Sequence, residues 1–128
     1  GSGPGQVDAV HILWILQEHC DRGTLADAVE RGWMRTSPSI YSPPDMLTVY
    51  STLKDIADGM AHVHDQGLIH CDLNGRNVLL SSSASDRRKF VAKVADFGLA
   101  RVCNGELVEP GLFGTVTHIP PEQVRDQK

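Results

Sequence analysis

Apolar residues in the first third of the chain fall into one short run and one amphipathic segment. Residues 10–16 are apolar and rich in β-branched and aromatic side chains, which favours a buried strand over a helix. Residues 24–32 contain a capping threonine, an acid three residues later and a closing glycine. That combination predicts a short helix with both ends marked.

The strongest periodicity lies between Met46 and Val63, where apolar residues recur at three- and four-residue steps. A helix with a wide apolar face follows from this spacing. Ser42 as the cap and Pro43 at the first helical position predict that the helix begins near Ser42, and Gly67 ends it. An apolar face of that width, left uncovered, predicts poor solubility or self-association.

Short strands are predicted beyond this helix, at residues 68–70, 77–80 and 90–94. Residues 81–89 between the last two strands are polar and show no periodicity, so we expect a connector. The basic run 86–89 within it is short, and such charge runs are usually solvated loops.

Composition narrows the classes of partner. The 128 residues carry a net charge of −4 with acids and bases interspersed, which gives no footprint for nucleic acid or an anionic membrane surface. No apolar run approaches the roughly 18 residues that cross a bilayer. Cys20, Cys71 and Cys103 lack metal-ligand spacing and predict free thiols in a reducing compartment. We expect a cytoplasmic location without membrane contact in this segment, although the parent protein could be membrane-anchored.

The candidate chemistry lies in residues 70–77, His-Cys-Asp-Leu-Asn-Gly-Arg-Asn, and in Asp-Phe-Gly at 96–98. Asp72 and Asn77 on one loop, with Asp96 before a phenylalanine and a glycine, supply a base and two oxygen ligands for a metal. Transfer of a phosphoryl group from ATP to a hydroxyl requires such a set. Taken singly, an aspartate in a turn is most often a cap or a solvated acid, and the alternative for Asn77 is a turn asparagine.

These motifs, in this order, resemble the large lobe of a protein kinase. Residues 17–25 resemble the hinge and first large-lobe helix, and residues 114–122 resemble the end of the activation segment, with Pro-Pro-Glu in place of Ala-Pro-Glu. The residues in these motifs are most similar to those of the tyrosine-kinase-like group of serine/threonine kinases found in plants and algae. The resemblance implies an α+β, protein kinase-like fold that is partial here, comprising the hinge and the first half of the mainly helical large lobe. Residues 1–9 would be a linker or loop and residues 10–128 a partial kinase domain that lacks the small-lobe core and the C-terminal helices.

The resemblance implies a catalytic role for four residues. Asp72 would accept the proton of the substrate hydroxyl, Arg76 would supply positive charge, and Thr115 would brace Asp72. Asn77 would hold magnesium as well as brace the loop. Asp96 would hold the magnesium ion that bridges the terminal phosphates.

The nucleotide side of the site is also implied by the resemblance, with ATP and Mg²⁺ as cofactors. Glu18 and Cys20 would offer backbone groups to the adenine, and Leu79 would pack beneath it. His70 and Phe97 would stack in the column that links the two lobes.

Departures from the family pattern shape the expected activity. Cys71 stands where kinases usually carry an arginine that pairs with an activation-loop phosphate, so we expect activity that does not depend on that phosphate. Thr115 favours protein serine/threonine substrates, whereas Arg76 occurs at this position in many tyrosine kinases. The glycine-rich loop and the ATP-pairing lysine are absent from the chain, so the isolated segment is expected to be inactive. The alternatives are a pseudokinase or protein-interaction module without phosphotransfer, and a nonfunctional relic.

Overall fold

Two helices are followed by four short strands in the part of the chain that the structure describes. The computed structural model describes residue 5 and residues 9–103. The elements in order are α1 Leu25–Glu30, α2 Met46–Asp65, β1 Leu68–Ile69, β2 Val78–Ser82, β3 Phe90–Val94 and β4 Arg101–Val102. β2 and β3 form an antiparallel hairpin, and β1 pairs antiparallel with β4. The mixed content confirms the predicted α+β class, and the three predicted strand regions after α2 are all found.

Helix α1 forms where its end signals predict it. The Thr24 side chain caps the helix by accepting a hydrogen bond from the Asp27 backbone N–H at 3.1 Å. Gly32, just beyond the helix, has a φ of +80°, a conformation that a glycine adopts without the Cβ penalty. The local capping chemistry therefore suffices to place this helix.

Helix α2 begins later than the sequence predicts. Asp45, not Ser42, is the N-cap, and its side chain accepts from the Thr48 backbone N–H at 3.4 Å. Pro44 forms an isolated β-bridge with Arg35. Because this bridge keeps residue 44 extended, the helix cannot begin before it. The helix ends at Asp65, and Gly67 follows with a φ of +73°, as the prediction required.

The hydrophobic core lies between the β2–β3 hairpin and the helices. Its buried residues come from α1 and from both strands, and they are Ala28, Val78, Leu80, Phe90 and Ala92. Helix α2 packs against β3 so closely that a Cβ added to Gly59 would lie 3.3 Å from Val94 Cγ2. The hairpin is thus the element around which the described part of the chain is organised.

The apolar segment at residues 10–16 contradicts its prediction as a buried strand. It forms no strand, and Leu13 and Leu16 are 83% and 101% exposed. A strand needs a hydrogen-bonding neighbour, and no strand in residues 9–103 pairs with this segment. Without that neighbour its apolar side chains face water.

The outer face of α2 is exposed, as the sequence predicts. Met46, Leu47, Tyr50 and Leu53 are between 45% and 65% exposed. In the part of the chain that the structure describes, no helix is long and apolar enough to cross a membrane.

The basic run 86–89 was predicted to be a solvated loop, and this is wrong for Arg88. Its side chain is only 3% exposed and forms salt bridges with Asp55 of α2 at 2.8 Å and with Asp86 at 2.9 Å. Asp55 also accepts a hydrogen bond from the Ala92 backbone N–H at 3.0 Å. Arg88 therefore fastens the β2–β3 connector to α2, through a partner that lies far away in sequence.

Within the cluster formed by Arg88, Asp55 and Asp86, the pKa values of Asp86 and Arg88 are shifted. The hydrogen bond from Arg88 is the largest cause of a fall in the pKa of Asp86 to about 2. The hydrogen bonds to Asp86 and Asp55 raise the pKa of Arg88, against the effect of its burial. Asp86 and Arg88 therefore stay charged over a wide pH range.

Candidate active site

The loop 70–77 is held together by its own polar side chains. Asn77 Nδ2 donates to the Asp72 carbonyl at 2.7 Å and to Asp72 Oδ2 at 3.0 Å. Asn74 Nδ2 donates to Asp72 Oδ1 at 3.2 Å, and the Asn77 backbone N–H donates to the Asn74 carbonyl. Two side-chain amides thus fix the carboxylate of Asp72 in one orientation.

A buried histidine joins this loop to the chain that carries Asp96. His70 is 1% exposed. Its Nδ1 accepts from the Asp72 backbone N–H at 3.1 Å, and its Nε2 lies 2.7 Å from the Ala95 carbonyl. Because an amide N–H only donates and a carbonyl only accepts, the ring is neutral and carries its proton on Nε2.

The rings of His70 and Phe97 lie 5.0 Å apart, which is the contact expected from the resemblance. Phe97 is 43% exposed, so one side of this stack is open to solvent.

Asp96 follows β3 and sits beside the loop. The Ala95 backbone N–H donates to the Asn77 carbonyl at 2.8 Å, which holds the two segments together. Asp96 has a φ of +56°, and its Oδ1 accepts from the Gly98 backbone N–H at 3.2 Å. A non-glycine residue in this region is strained by roughly 1–3 kcal/mol, and such strain concentrates at functional sites.

Cys71 is also in the left-handed region, with a φ of +67°. Its thiol is half-buried and donates to the Ile69 carbonyl at 3.5 Å. Cys71, like Cys20 and Cys103, is a free thiol. Its expected consequence, activity independent of an activation-loop phosphate, stays a prediction that phosphatase treatment of the active enzyme would check.

An open cleft of about 850 Å³ lies between the hairpin and residues 15–20. Seven of the residues singled out from the sequence line it, namely Glu18, Cys20, Arg76, Asn77, Leu79, Asp96 and Phe97. Asp72 is outside this lining and is joined to it through Asn77. Thr115 lies outside the described residues. The structure therefore brings both the adenine-side and the phosphate-side candidates to one cavity.

The cleft is also lined by Lys93 of β3, a residue to which the sequence motifs assign no role. Lys93 Nζ donates to Glu18 Oε1 at 2.5 Å, and this hydrogen bond is the largest cause of a raised pKa of Lys93. Lys93 lies opposite Leu79 in the hairpin register. Residues that pair across two strands point to the same face of a sheet. The pairing of β2 with β3 therefore puts Lys93 on the face of Leu79, which lines the cleft.

The donor set at the phosphate side fits magnesium. Nδ2 of Asn77 is used by Asp72, so Oδ1 of Asn77 is left to accept or to ligate. The carboxylate of Asp96 has one oxygen bonded to Gly98 and one without a hydrogen bond in the described part of the chain. These are hard oxygen ligands of the kind Mg²⁺ prefers. Residues 9–103 contain no group of three or more His, Cys, Asp or Glu that could hold a metal ion. Mg²⁺ usually keeps several waters and is bound by one or two carboxylates together with substrate phosphates.

Comparison with known proteins adds an independent finding. The profile of the protein kinase domain matches residues 7–128. The chain is 31% identical over 113 residues to a probable serine/threonine-protein kinase of Dictyostelium discoideum, which covers 88% of this chain and 9% of that protein. It is 34% identical over 134 residues to the human eIF-2-alpha kinase GCN2, covering 90% of the chain and 7% of that protein.

A plant relative is similar at the same level. The chain is 32% identical over 114 residues to mitogen-activated protein kinase kinase kinase 17 of Arabidopsis thaliana, covering 89% of the chain and 27% of that protein. The chain thus spans less than a third of the length of these three relatives. The predicted tyrosine-kinase-like grouping and plant or algal type stay predictions.

Proposed function

Because the chain belongs to the protein kinase family, we propose that it supplies the catalytic loop and metal ligands of an enzyme that transfers the γ-phosphoryl group of ATP to protein serine or threonine hydroxyls. The observation that carries the proposal is that Asn77 and Asp96 line one cleft while Asn77 also holds the carboxylate of Asp72. The hydrogen bond from the Ala95 N–H to the Asn77 carbonyl joins the two segments. In this proposal residues 10–128 are part of a kinase domain, residues 1–9 are a linker or loop, and the isolated chain is inactive.

Asp72 acts on the substrate hydroxyl. Its carboxylate, oriented by Asn77 and Asn74, accepts a hydrogen bond from the hydroxyl and then its proton. The two amide donors restrict the carboxylate to one rotamer, so little reorganisation is needed when the hydroxyl attacks. This is the positional catalysis on which phosphoryl transfer depends.

Asn77 and Asp96 would hold Mg²⁺ through Asn77 Oδ1 and the Asp96 carboxylate. The ion, when bound, neutralises the charge on the terminal phosphates. Arg76 lines the same cleft and adds positive charge on the side of the loop. The backbone hydrogen bond from Ala95 to Asn77 fixes the relative positions of the two ligands, because it links their segments directly.

The adenine binds at the other end of the cleft. The backbone of Glu18 and Cys20 provides the polar contacts and Leu79 the apolar floor. Residues 22–24 pair with the outer edge of β2, with Arg22 N–H donating to the Leu80 carbonyl at 2.9 Å. This pairing brings the preceding residues to the cleft above Leu79.

The choice of serine or threonine over tyrosine is supported by the relatives. The Dictyostelium discoideum protein is named a probable serine/threonine-protein kinase. Thr115, the residue proposed to brace Asp72 for such substrates, lies outside the described residues, so its role rests on the family motif.

A phosphotransfer assay tests the proposal. The full-length product of the gene would be incubated with γ-labelled ATP, Mg²⁺ and a general protein substrate, and the labelled amino acids identified. We expect phosphoserine and phosphothreonine, and a loss of about 10²–10⁴-fold in rate for Asp72→Asn. Asp65→Asn, at the exposed end of α2, is the matched control and should keep the wild-type rate.

Two results would contradict the assignment. Phosphotyrosine as the sole product would overturn the substrate class. Binding of MgATP without any phosphotransfer by the wild type would favour the pseudokinase alternative.

A further inference from the structure

The hydrogen bond between Lys93 and Glu18 crosses the cleft from the hairpin to the segment that precedes α1. Residues 9–19 are all exposed, and through the Glu18 carboxylate this stretch is bonded to the hairpin. Both side chains line the cleft, and Lys93 stands opposite Leu79 in the strand register. The pair therefore borders the place where a base resting on Leu79 would lie.

We propose that Lys93 is a positioning residue for the nucleotide base, because its ammonium group holds Glu18 and thereby aligns the backbone of residues 18–20 over Leu79. The inference rests on the proposed function, since it assigns Lys93 to the adenine end of that site. It gives Lys93 a role other than that of the phosphate-pairing lysine of the family, which belongs to a different strand.

The amine of Lys93 is already engaged by a carboxylate at 2.5 Å, and this contact raises its pKa. A phosphate would have to compete with Glu18 for it. A base stacked on Leu79 would instead leave the pair intact. The geometry thus favours an effect on the base over a direct contact with the phosphates.

Solvent exposure determines how strongly Lys93 and Glu18 attract each other. The side chains of Lys93 and Glu18 are 40% and 61% exposed, so water screens the pair in this structure. A base that covers the pair would exclude part of that water and strengthen the attraction. Nucleotide binding and the ion pair would then favour each other.

The experiment measures dissociation constants for adenosine and for MgATP with the full-length product of the gene. The variants are Lys93→Met, Glu18→Gln, the double substitution, and the exchange Glu18→Lys with Lys93→Glu. Lys54→Met is the matched control, because Lys54 forms an exposed ion pair with Asp58 on α2, outside the cleft. A thermal melt of each variant checks that the fold is kept.

We expect each single substitution to raise the dissociation constants of adenosine and of MgATP by the same factor, about 2- to 5-fold. The double substitution should be no weaker than either single one, and the charge exchange should recover much of the affinity. In turnover, the KM for ATP should rise by a similar factor with kcat unchanged.

If Lys93→Met bound adenosine as tightly as the Lys54→Met control does, the inference would be overturned. A loss of affinity for MgATP without a loss for adenosine would also overturn it, because Lys93 would then act on the phosphates. Additive losses in the double variant would also overturn it. A wild type that binds adenosine with this pattern but transfers no phosphate would contradict the proposed function while supporting the role of Lys93. A wild type that binds no adenosine would contradict the inference itself.

Discussion

The two sides of the cleft are built in different ways. On one side, the hairpin and the loop 70–77 are closed by backbone pairing, buried apolar residues and side-chain amides. The other side is formed by residues 15–20, which continue the apolar segment 10–16. That segment is at least as apolar as β2, but it is exposed. Leu80 is fully buried, whereas Leu13 is 83% exposed. Hydrophobic pattern alone therefore does not decide burial, because burial also needs a neighbouring element.

The largest expected effect contrasts these two leucines. Leu80→Ala removes buried volume from the hairpin core and should lower the free energy of unfolding by about 2–5 kcal/mol. Leu13→Ala should change it by less than about 0.5 kcal/mol, because Leu13 is exposed. Urea unfolding followed by circular dichroism measures both. Equal effects of the two substitutions would remove the contrast between the two sides.

The next effect concerns the ion-pair cluster that fixes the connector of the hairpin. Arg88→Met leaves Asp55 and Asp86 without their cation and should cost about 2–3 kcal/mol, less than a fully buried pair because both carboxylates are about a quarter exposed. Arg87→Met is the neighbouring control. Arg87 is 58% exposed and should cost no more than about 1 kcal/mol. A loss for Arg87→Met as large as that for Arg88→Met would show that the burial of Arg88 is not what matters.

The same cluster predicts a dependence of stability on pH. The pKa of Asp86 falls from 3.8 to about 2 in the folded chain, so its ionised form stabilises the fold above pH 4. This contribution, on the order of 1–2 kcal/mol, should be lost as the pH falls from about 4 to 2. Arg88→Met should flatten that part of the stability curve. An unchanged slope in the variant would contradict the assignment of the shift to Arg88.

The smallest expected change in stability concerns α1, the first element after the exposed segment that packs against the core. Thr24→Ala removes the N-cap of α1, which accepts a hydrogen bond from the Asp27 N–H, and should lower the free energy of unfolding by about 1 kcal/mol. Thr36→Ala is the control, because the Thr36 side chain forms no hydrogen bond within residues 9–103, and it should change stability by less than about 0.5 kcal/mol. Thermal unfolding of both variants is sufficient. A neutral Thr24→Ala would mean that tertiary packing alone sets the start of α1.

The sequence was informative where the determining contacts are local. Thr24 and Gly32 mark α1 correctly, and the strand patterns around residues 78–82 and 90–94 survive in the hairpin. The start of α2 was misplaced because the pairing of Pro44 with Arg35 outweighs the local cap signal of Ser42. Strand β4 was missed because two residues with a charged member carry almost no pattern.

The same distinction applies to the candidate site. The loop from His70 to Asn77 was recognisable because its hydrogen bonds join residues close in sequence. The partners of Lys93 and Arg88 were missed, since Glu18 and Asp55 lie 75 and 33 residues away from them. Contacts at such separation follow from packing and not from any local pattern.

The most direct test of the account asks whether Asp96 and the loop form one metal–nucleotide site. We would measure the dissociation constant of ATP with and without Mg²⁺ for the full-length product of the gene, its Asp96→Asn variant and the Asp65→Asn control. The account predicts that Mg²⁺ tightens ATP binding in the wild type and in the control but not in Asp96→Asn, while adenosine affinity is the same in all three. An equal magnesium effect in Asp96→Asn, or no magnesium effect in the wild type, would contradict it.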